Sequence, residues 1–195
     1  MGKIIAIANQ KGGVGKTTTC VNLAASLAAT KRKILVIDLD PQGNATMGSG
    51  VDKYNVDATA YDVLIDEKPI AEAVVKETSG GYHLIAANGD VTAAEIRLMD
   101  CFARETRLRS MLQMEVNNYD YIFIDCPPSL NMLTVNALSA AHSVLVPMQC
   151  EYYALEGLTA LVDTISKLAA VINSELKIEG ILRTMYDPRN RLSSD

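Results

Sequence analysis

A chain of 195 residues, 49% hydrophobic and 21% charged, is long enough for one sizeable α/β domain and short for two. Trp is absent and Phe occurs twice, so the core must be aliphatic. A formal net charge of −5 excludes a surface coated in basic residues, and any nucleic-acid contact must be a local patch.

Residues 3–19 read KIIAIANQKGGVGKTTT. The run Ile4, Ile5, Ala6, Ile7, Ala8 predicts a short buried strand. Gly12, Gly13 and Gly15 then make a turn, and Lys16-Thr17-Thr18 lead into a helix. Strand, glycine turn, Lys-Thr and helix in that order are what a phosphate-binding loop requires. Glycines let backbone N–H groups turn around phosphate oxygens, and the helix start adds free N–H groups and a positive dipole end. Lys16 supplies a full positive charge at the β/γ phosphates, and the Thr17 hydroxyl is a Mg2+ ligand. Gly12, Gly13, Val14, Gly15, Lys16, Thr17 and Thr18 are therefore the candidate nucleotide-binding residues, with ATP and Mg2+ as the expected ligands.

Apolar residues at helical spacing (Leu23, Ala24, Leu27, Ala28) predict a helix over 17–30, stopped by Lys31-Arg32-Lys33. Ile34–Ile37 is a second buried strand ending in Asp38-Leu39-Asp40-Pro41. Residues 42–58, rich in Gly, Asn, Ser and Asp, read as a long loop beside the site. Helical pieces over 59–65 and 69–76 and a weak strand over 82–86 follow. Residues 91–117 read as amphipathic helices, with Arg97, Arg104, Arg107 and Arg109 on a solvated face. Tyr119 to Asp125 is a third strong strand, before Cys126-Pro127-Pro128. A helix over 130–140, a strand over 143–148, a helix over 155–173 and a strand over 176–185 complete the pattern. Such alternation predicts an α/β fold over 1–195, a doubly wound and mainly parallel sheet flanked by helices in a single domain.

In such sheets the ligand crevice lies beyond the carboxyl ends of the strands, so the glycine loop, Asp38, Asp40 and Asp125 all face one place. Asp125 is the expected metal-side partner of the loop, acting through water because Mg2+ keeps much of its hydration shell. A hydrolase also needs a group that orients water opposite the leaving phosphate. Asp38 and Asp40 are both placed for it, and their spacing does not decide between them.

Two departures from the common G-x-x-x-x-G-K-[ST] pattern stand out. Gln10 occupies the first glycine position, and Lys11 directly precedes the glycines. K-G-G-x-G-K-T resembles the deviant phosphate loop of the ParA/MinD group of ATPases, and that resemblance implies that Lys11 acts on the nucleotide of a partner subunit. ANQKGGVGKTTT, VIDLDPQGNAT, YDYIFIDCPPSL and VPMQCEYYALEGL together resemble the ParA/Soj branch of chromosome and plasmid partition ATPases, from residue 2 to about 190.

The resemblance implies an ATP-dependent sandwich homodimer that binds DNA without sequence preference. A ParB-like centromere-binding partner would stimulate slow hydrolysis, which releases the DNA. On this basis Lys11, Lys16 and Asp40 are the catalytic residues, with Asp40 positioning water. Thr17, Asp38 and Asp125 serve the metal, and Thr18 contacts the α-phosphate. Arg189 corresponds to a DNA-contacting arginine, with Arg183 and Arg191 beside it; a solvated basic turn is the competing reading. The stretch 151–157 lies near the dimer face or simply enters a helix. Family chains run several dozen residues further, so this one is expected to lack a C-terminal segment and to expose a sheet edge near Ile178–Leu182.

Four cysteines (Cys20, Cys101, Cys126, Cys150) without a C-x-x-C pair suit reduced thiols. With no signal peptide and no apolar run of membrane-span length, a cytoplasmic, nucleoid-associated protein is expected, with no membrane partner. Three alternatives compete: a MinD-like membrane-associated regulator, an iron–sulfur protein using Cys101 and Cys126, and a truncated nucleotide-binding remnant that does not hydrolyse.

Overall fold

The computed structural model describes residues 2–150, 154–187 and 189. Strands are β1 (Lys3–Ile7), β2 (Ile34–Asp38), β3 (His83–Ile85), β4 (Tyr121–Asp125), β5 (Ser143–Gln149) and β6 (Lys177–Thr184). They form one sheet in the order β3-β2-β4-β1-β5-β6, with every pair parallel. Helices are α1 (Lys16–Ala29), α2 (Asn44–Gly48), α3 (Ala60–Leu64), α4 (Ile70–Ala73), α5 (Val91–Leu98), α6 (Arg107–Leu112), α7 (Met132–Ala140) and α8 (Ala154–Val171). The doubly wound α/β architecture expected from the alternation is the one observed.

The central strands are apolar apart from their ends because both faces of the sheet are covered. Ile4, Ala6, Leu35, Ile37, Ile122 and Ile124 face a core closed by α3 to α8. Their neighbours Ile5, Ile7, Val36 and Phe123 face the other way, against Cys20 and Ala24 of α1. Parallel register sets Ile7 beside Asp125 and Asp125 beside Asp38, so the ends of β1, β4 and β2 meet at one edge.

β6 is the exception. As an edge strand it leaves Ile178, Ile181 and Leu182 between 39% and 47% exposed. This is the exposed apolar edge that the sequence predicts near Ile178–Leu182.

Two expectations need correction. The stretch 42–58 is not loop throughout, because α2 forms inside it, started by Gly43 and held by Asp38. Arg107 does not lie on a solvated face either. Its Nε and Nη2 donate to the carbonyls of Leu64 and Ile65 at the end of α3, at 3.0 and 3.1 Å, and Nη1 pairs with Glu67 at 2.7 Å. It caps the last two carbonyls at the C-terminal end of this short helix.

Candidate active site

α1 begins directly from β1 through residues 8–15. Gly15, immediately before the helix, has φ 88°, a left-handed conformation that L side chains rarely adopt. No side chain caps the helix, so its first N–H groups are free to meet an anion. The loop is pinned from outside. Buried Asn9 donates to Pro147 O at 2.7 Å and accepts from Lys11 N–H at 3.0 Å. Thr184 Oγ1 donates to Val14 O at 2.9 Å, and Gln149 Nε2 reaches Gly13 O at 3.5 Å. Gly12, Gly13 and Thr18 are exposed, so the concave side of the loop is open.

Lys16 is 7% exposed, and its Nζ folds back onto the carbonyl of Lys11 at 3.0 Å. Burial lowers its pKa, and the charges of Asp125, Cys126 and Asp40 work against that shift. A buried ammonium resting on a loop carbonyl is positioned for a stronger anionic partner.

Asp125 closes the site from β4. Its Oδ2 accepts from Thr17 Oγ1 at 2.7 Å. Its Oδ1 is buried with no hydrogen-bond partner among the described residues. Burial first, then Asp38, pushes its pKa up to about 7 against the hydrogen bond from Thr17. One hydroxyl and one carboxylate with an open buried oxygen are hard donors of the kind Mg2+ takes alongside water and substrate phosphates. Among the described residues no cluster of three or more His, Cys, Asp or Glu side chains could hold a metal by itself.

Asp38 and Asp40 differ in their partners. Both Asp38 oxygens are occupied: Oδ1 accepts from Asp40 N–H at 3.1 Å, and Oδ2 accepts from Thr46 N–H at 2.9 Å and Thr46 Oγ1 at 2.8 Å. Burial raises its pKa to about 6 against those bonds. Asp40, 8% exposed, accepts from Gln42 N–H at 2.9 Å through Oδ1 and has no bond from Thr46. Of the two, Asp38 is the more fully hydrogen-bonded carboxylate.

Three comparisons bear on this arrangement. A family model described as an AAA domain matches residues 2–178. An uncharacterized Pseudomonas putida protein is 64% identical over 195 residues, all of this chain and 74% of its own. The Bacillus subtilis sporulation initiation inhibitor protein Soj is 50% identical over 192 residues, 98% of this chain and 76% of its own. The chain belongs to the ParA/Soj family of partitioning ATPases. Among solved structures, a Mycobacterium smegmatis protein named cobyrinic acid a,c-diamide synthase, with bound ADP and magnesium, has a TM-score of 0.95 at 41% identity. That match covers 100% of this chain and 79% of the other.

Within this ParA/Soj chain, the structure gathers residues 11–18, Asp38, Asp40 and Asp125 at one edge of the sheet. Arg183 lies in β6 next to Thr184, the residue that bonds the loop, and Arg189 lies beyond the end of that strand. Arg183 stacks on Tyr186 at 4.9 Å, and Arg189 makes a bidentate pair with Asp187 at 2.9 and 2.8 Å. Arg191 and residues 151–153 are outside the described residues. No described helix is long and apolar enough to cross a membrane. Cys126 is buried beside Asp125 with its thiol pKa raised by that burial, whereas Cys101 lies beyond α5 and donates to Arg97 O. Asn9, Thr46 and Gln149 lie within the quoted motifs and Thr184 outside them; sequence reasoning gave none of the four a role, yet they hold the loop and the Asp38–Asp40 turn.

Proposed function

We propose that the chain is an ATP-hydrolysing partitioning switch that dimerises around ATP, holds DNA without sequence preference and releases it after hydrolysis. The observation that carries the reading is the Thr17–Asp125 pair with its open buried oxygen, set beside the uncapped start of α1 and the carboxylate of Asp40. In this reading Val14, Gly15, Lys16 and Thr17 present N–H groups to the phosphates, and Lys16 neutralises charge where the β–γ bond breaks. Thr18 lies at the α-phosphate, and Lys11 reaches the nucleotide of a second copy. Thr17 and Asp125 would hold Mg2+, which supplies Lewis-acid stabilisation of the phosphate oxygens. Asp40 orients the attacking water, and Asp38 keeps the Asp40 turn in place. The name of the M. smegmatis neighbour points to amide formation; relatives named for chromosome partitioning, at about 50% identity over most of this chain, favour the partitioning reading. Arg183 and Arg189 are assigned to DNA because both are exposed, Arg183 near the end of β6 and Arg189 past it. A ParB-like partner would stimulate turnover.

ATP turnover, dimer formation and retention on DNA, measured with and without ATP, test this reading. Asp40→Ala should cut turnover at least ~100-fold while prolonging the ATP-dependent dimer. Arg189→Glu should weaken DNA retention and leave turnover without DNA unchanged. A wild-type protein that binds ATP yet neither dimerises nor turns it over would sink the reading. Co-sedimentation with liposomes in place of DNA would favour a membrane-surface regulator.

A further inference from the structure

Thr46 lies in the first turn of α2, fully buried, and joins three elements. Its Oγ1 donates to Asp38 Oδ2 at 2.8 Å and accepts from Ala87 N–H, just beyond β3, at 2.9 Å. Its own N–H donates to the same Asp38 oxygen at 2.9 Å. The other Asp38 oxygen holds Asp40 N–H at 3.1 Å. Gly43 N–H then returns to Asp40 O at 2.8 Å, closing the turn against α2. The Asp40 backbone is thereby fastened to the ends of both β2 and β3 through one carboxylate and one hydroxyl.

We infer that Thr46 is a positioning residue for Asp40, fixing the water-orienting carboxylate through Asp38 without touching the nucleotide loop. The inference rests on the hydrolytic role proposed for Asp40. A hydroxyl offers one donor and two acceptor lone pairs, and here the donor and one acceptor are both used inside the protein. A methyl in its place strands the Ala87 N–H and removes one of the two donors that orient Asp38 Oδ2. Thr46 bonds none of residues 11–18, so loss of the hydroxyl should reach the reaction through Asp38 and the Asp40 turn that Asp38 holds. Displacements of the order of 1 Å at a reacting group cost up to roughly 100-fold in rate.

Ser49 supplies the matched control. It is buried in the same short stretch, donates to Ala45 O at 2.6 Å and lies 2.7 Å from Tyr82 OH, without bonding Asp38. The experiment compares Thr46→Val, Thr46→Ser and Ser49→Ala in the full chain, reading kcat, affinity for a non-hydrolysable ATP analogue with Mg2+, and thermal stability. Thr46→Val should lose about 10- to 100-fold in kcat, with analogue affinity held within about twofold. Thr46→Ser should recover most of the rate, and Ser49→Ala should lose stability but keep kcat. If the valine variant does not fold, Thr46→Ala removes the same hydroxyl without adding a methyl. Thr46→Val turning over as fast as Ser49→Ala, or losing affinity in step with rate, would overturn the inference. Wild-type turnover in Asp40→Ala would instead remove the role of Asp40 itself, a result the two sets of variants report separately.

Discussion

At the β2 end of the crevice, Asp38, Asp40 and Thr46 are buried, and both oxygens of Asp38 are spoken for by groups on α2 and the Asp40 turn. At the β6 end, Arg183, Met185 and Tyr186 are exposed, and Arg189 pairs with Asp187 two residues away. The first region is a buried network between elements; in the second the ion pair of Arg189 is local and exposed, and Gln149 and Thr184 tie down the base of the segment. A group that must place one water molecule needs the former, since its geometry has to survive thermal motion. Arginines that meet a phosphate backbone need charge and reach more than fixed position. The contrast therefore predicts where substitutions will be costly.

Gly43 is expected to show it most strongly. Its φ is 63°, and a Cβ there would stand 2.6 Å from Ala87 O, too close for any real contact. Gly43→Ala should cost about 3 kcal/mol from left-handed strain and displacement, lowering Tm by roughly 6–12 °C in a chain of this size. Gly180→Ala in β6 is the counterpart. A Cβ there meets nothing within 4 Å, so the change should stay within about 0.5 kcal/mol. Calorimetry on the pair decides: equal losses at both glycines would break the distinction between the two ends.

A second test uses pH. Burial raises Asp38 to about 6 and Asp125 to about 7, from ordinary values near 3.8. Between roughly pH 4 and 7 the folded protein binds protons that the unfolded chain does not. The contribution of these two carboxylates to stability without nucleotide should accordingly be greatest at and below about pH 4 and fall as pH rises toward 7, by an amount on the order of a few kcal/mol. His83, lowered by burial and by Lys76, acts in the opposite sense, so the informative quantity is the difference between wild type and Asp125→Asn. The asparagine variant should show a clearly flatter profile in chemical denaturation. An unchanged slope would mean that the carboxylates are solvated and that the β2 end is no tighter than the β6 end.

What the sequence reveals of this architecture follows the range of the interactions. Strand, glycine turn and Lys16-Thr17 are adjacent in the chain, so their meaning is local and legible. Asp125 is legible too, because an aspartate ending an apolar strand has a meaning once a phosphate loop is present. Thr46 is different. Its value comes from Asp38, eight residues away, and from Ala87, 41 residues away, and an uncharged hydroxyl in a Gly/Asn-rich stretch announces neither. For the same reason α2 reads as loop: five residues have little intrinsic helicity, and a distant carboxylate holds the first turn. Arg107 misleads in the opposite direction. Its charge suggests solvent, whereas the orphan carbonyls of α3 that it caps lie some 40 residues earlier.

The smallest expected effect sits where the two ends of the crevice join. Thr184, the last residue of β6, donates to Val14 O at 2.9 Å, and its methyl stands 3.6 Å from the position of a Gly15 Cβ. It is the direct bond between the edge strand that carries Arg183 and the loop that would carry phosphate. Thr184→Val keeps the shape and deletes the donor, leaving Val14 O without it. A net loss of about 1 kcal/mol is expected, near 2–4 °C in Tm. The informative readout is local. Because β6 is an exposed edge, amide exchange across 177–184 should quicken, while β1, β2 and β4 keep their protection. Nucleotide affinity should weaken by less than about tenfold, since Asn9 still pins the loop from β5. Equal loss of protection in β2 and β6 would show that the sheet opens as one unit, and the division between a fixed end and a loosely held end would then fail.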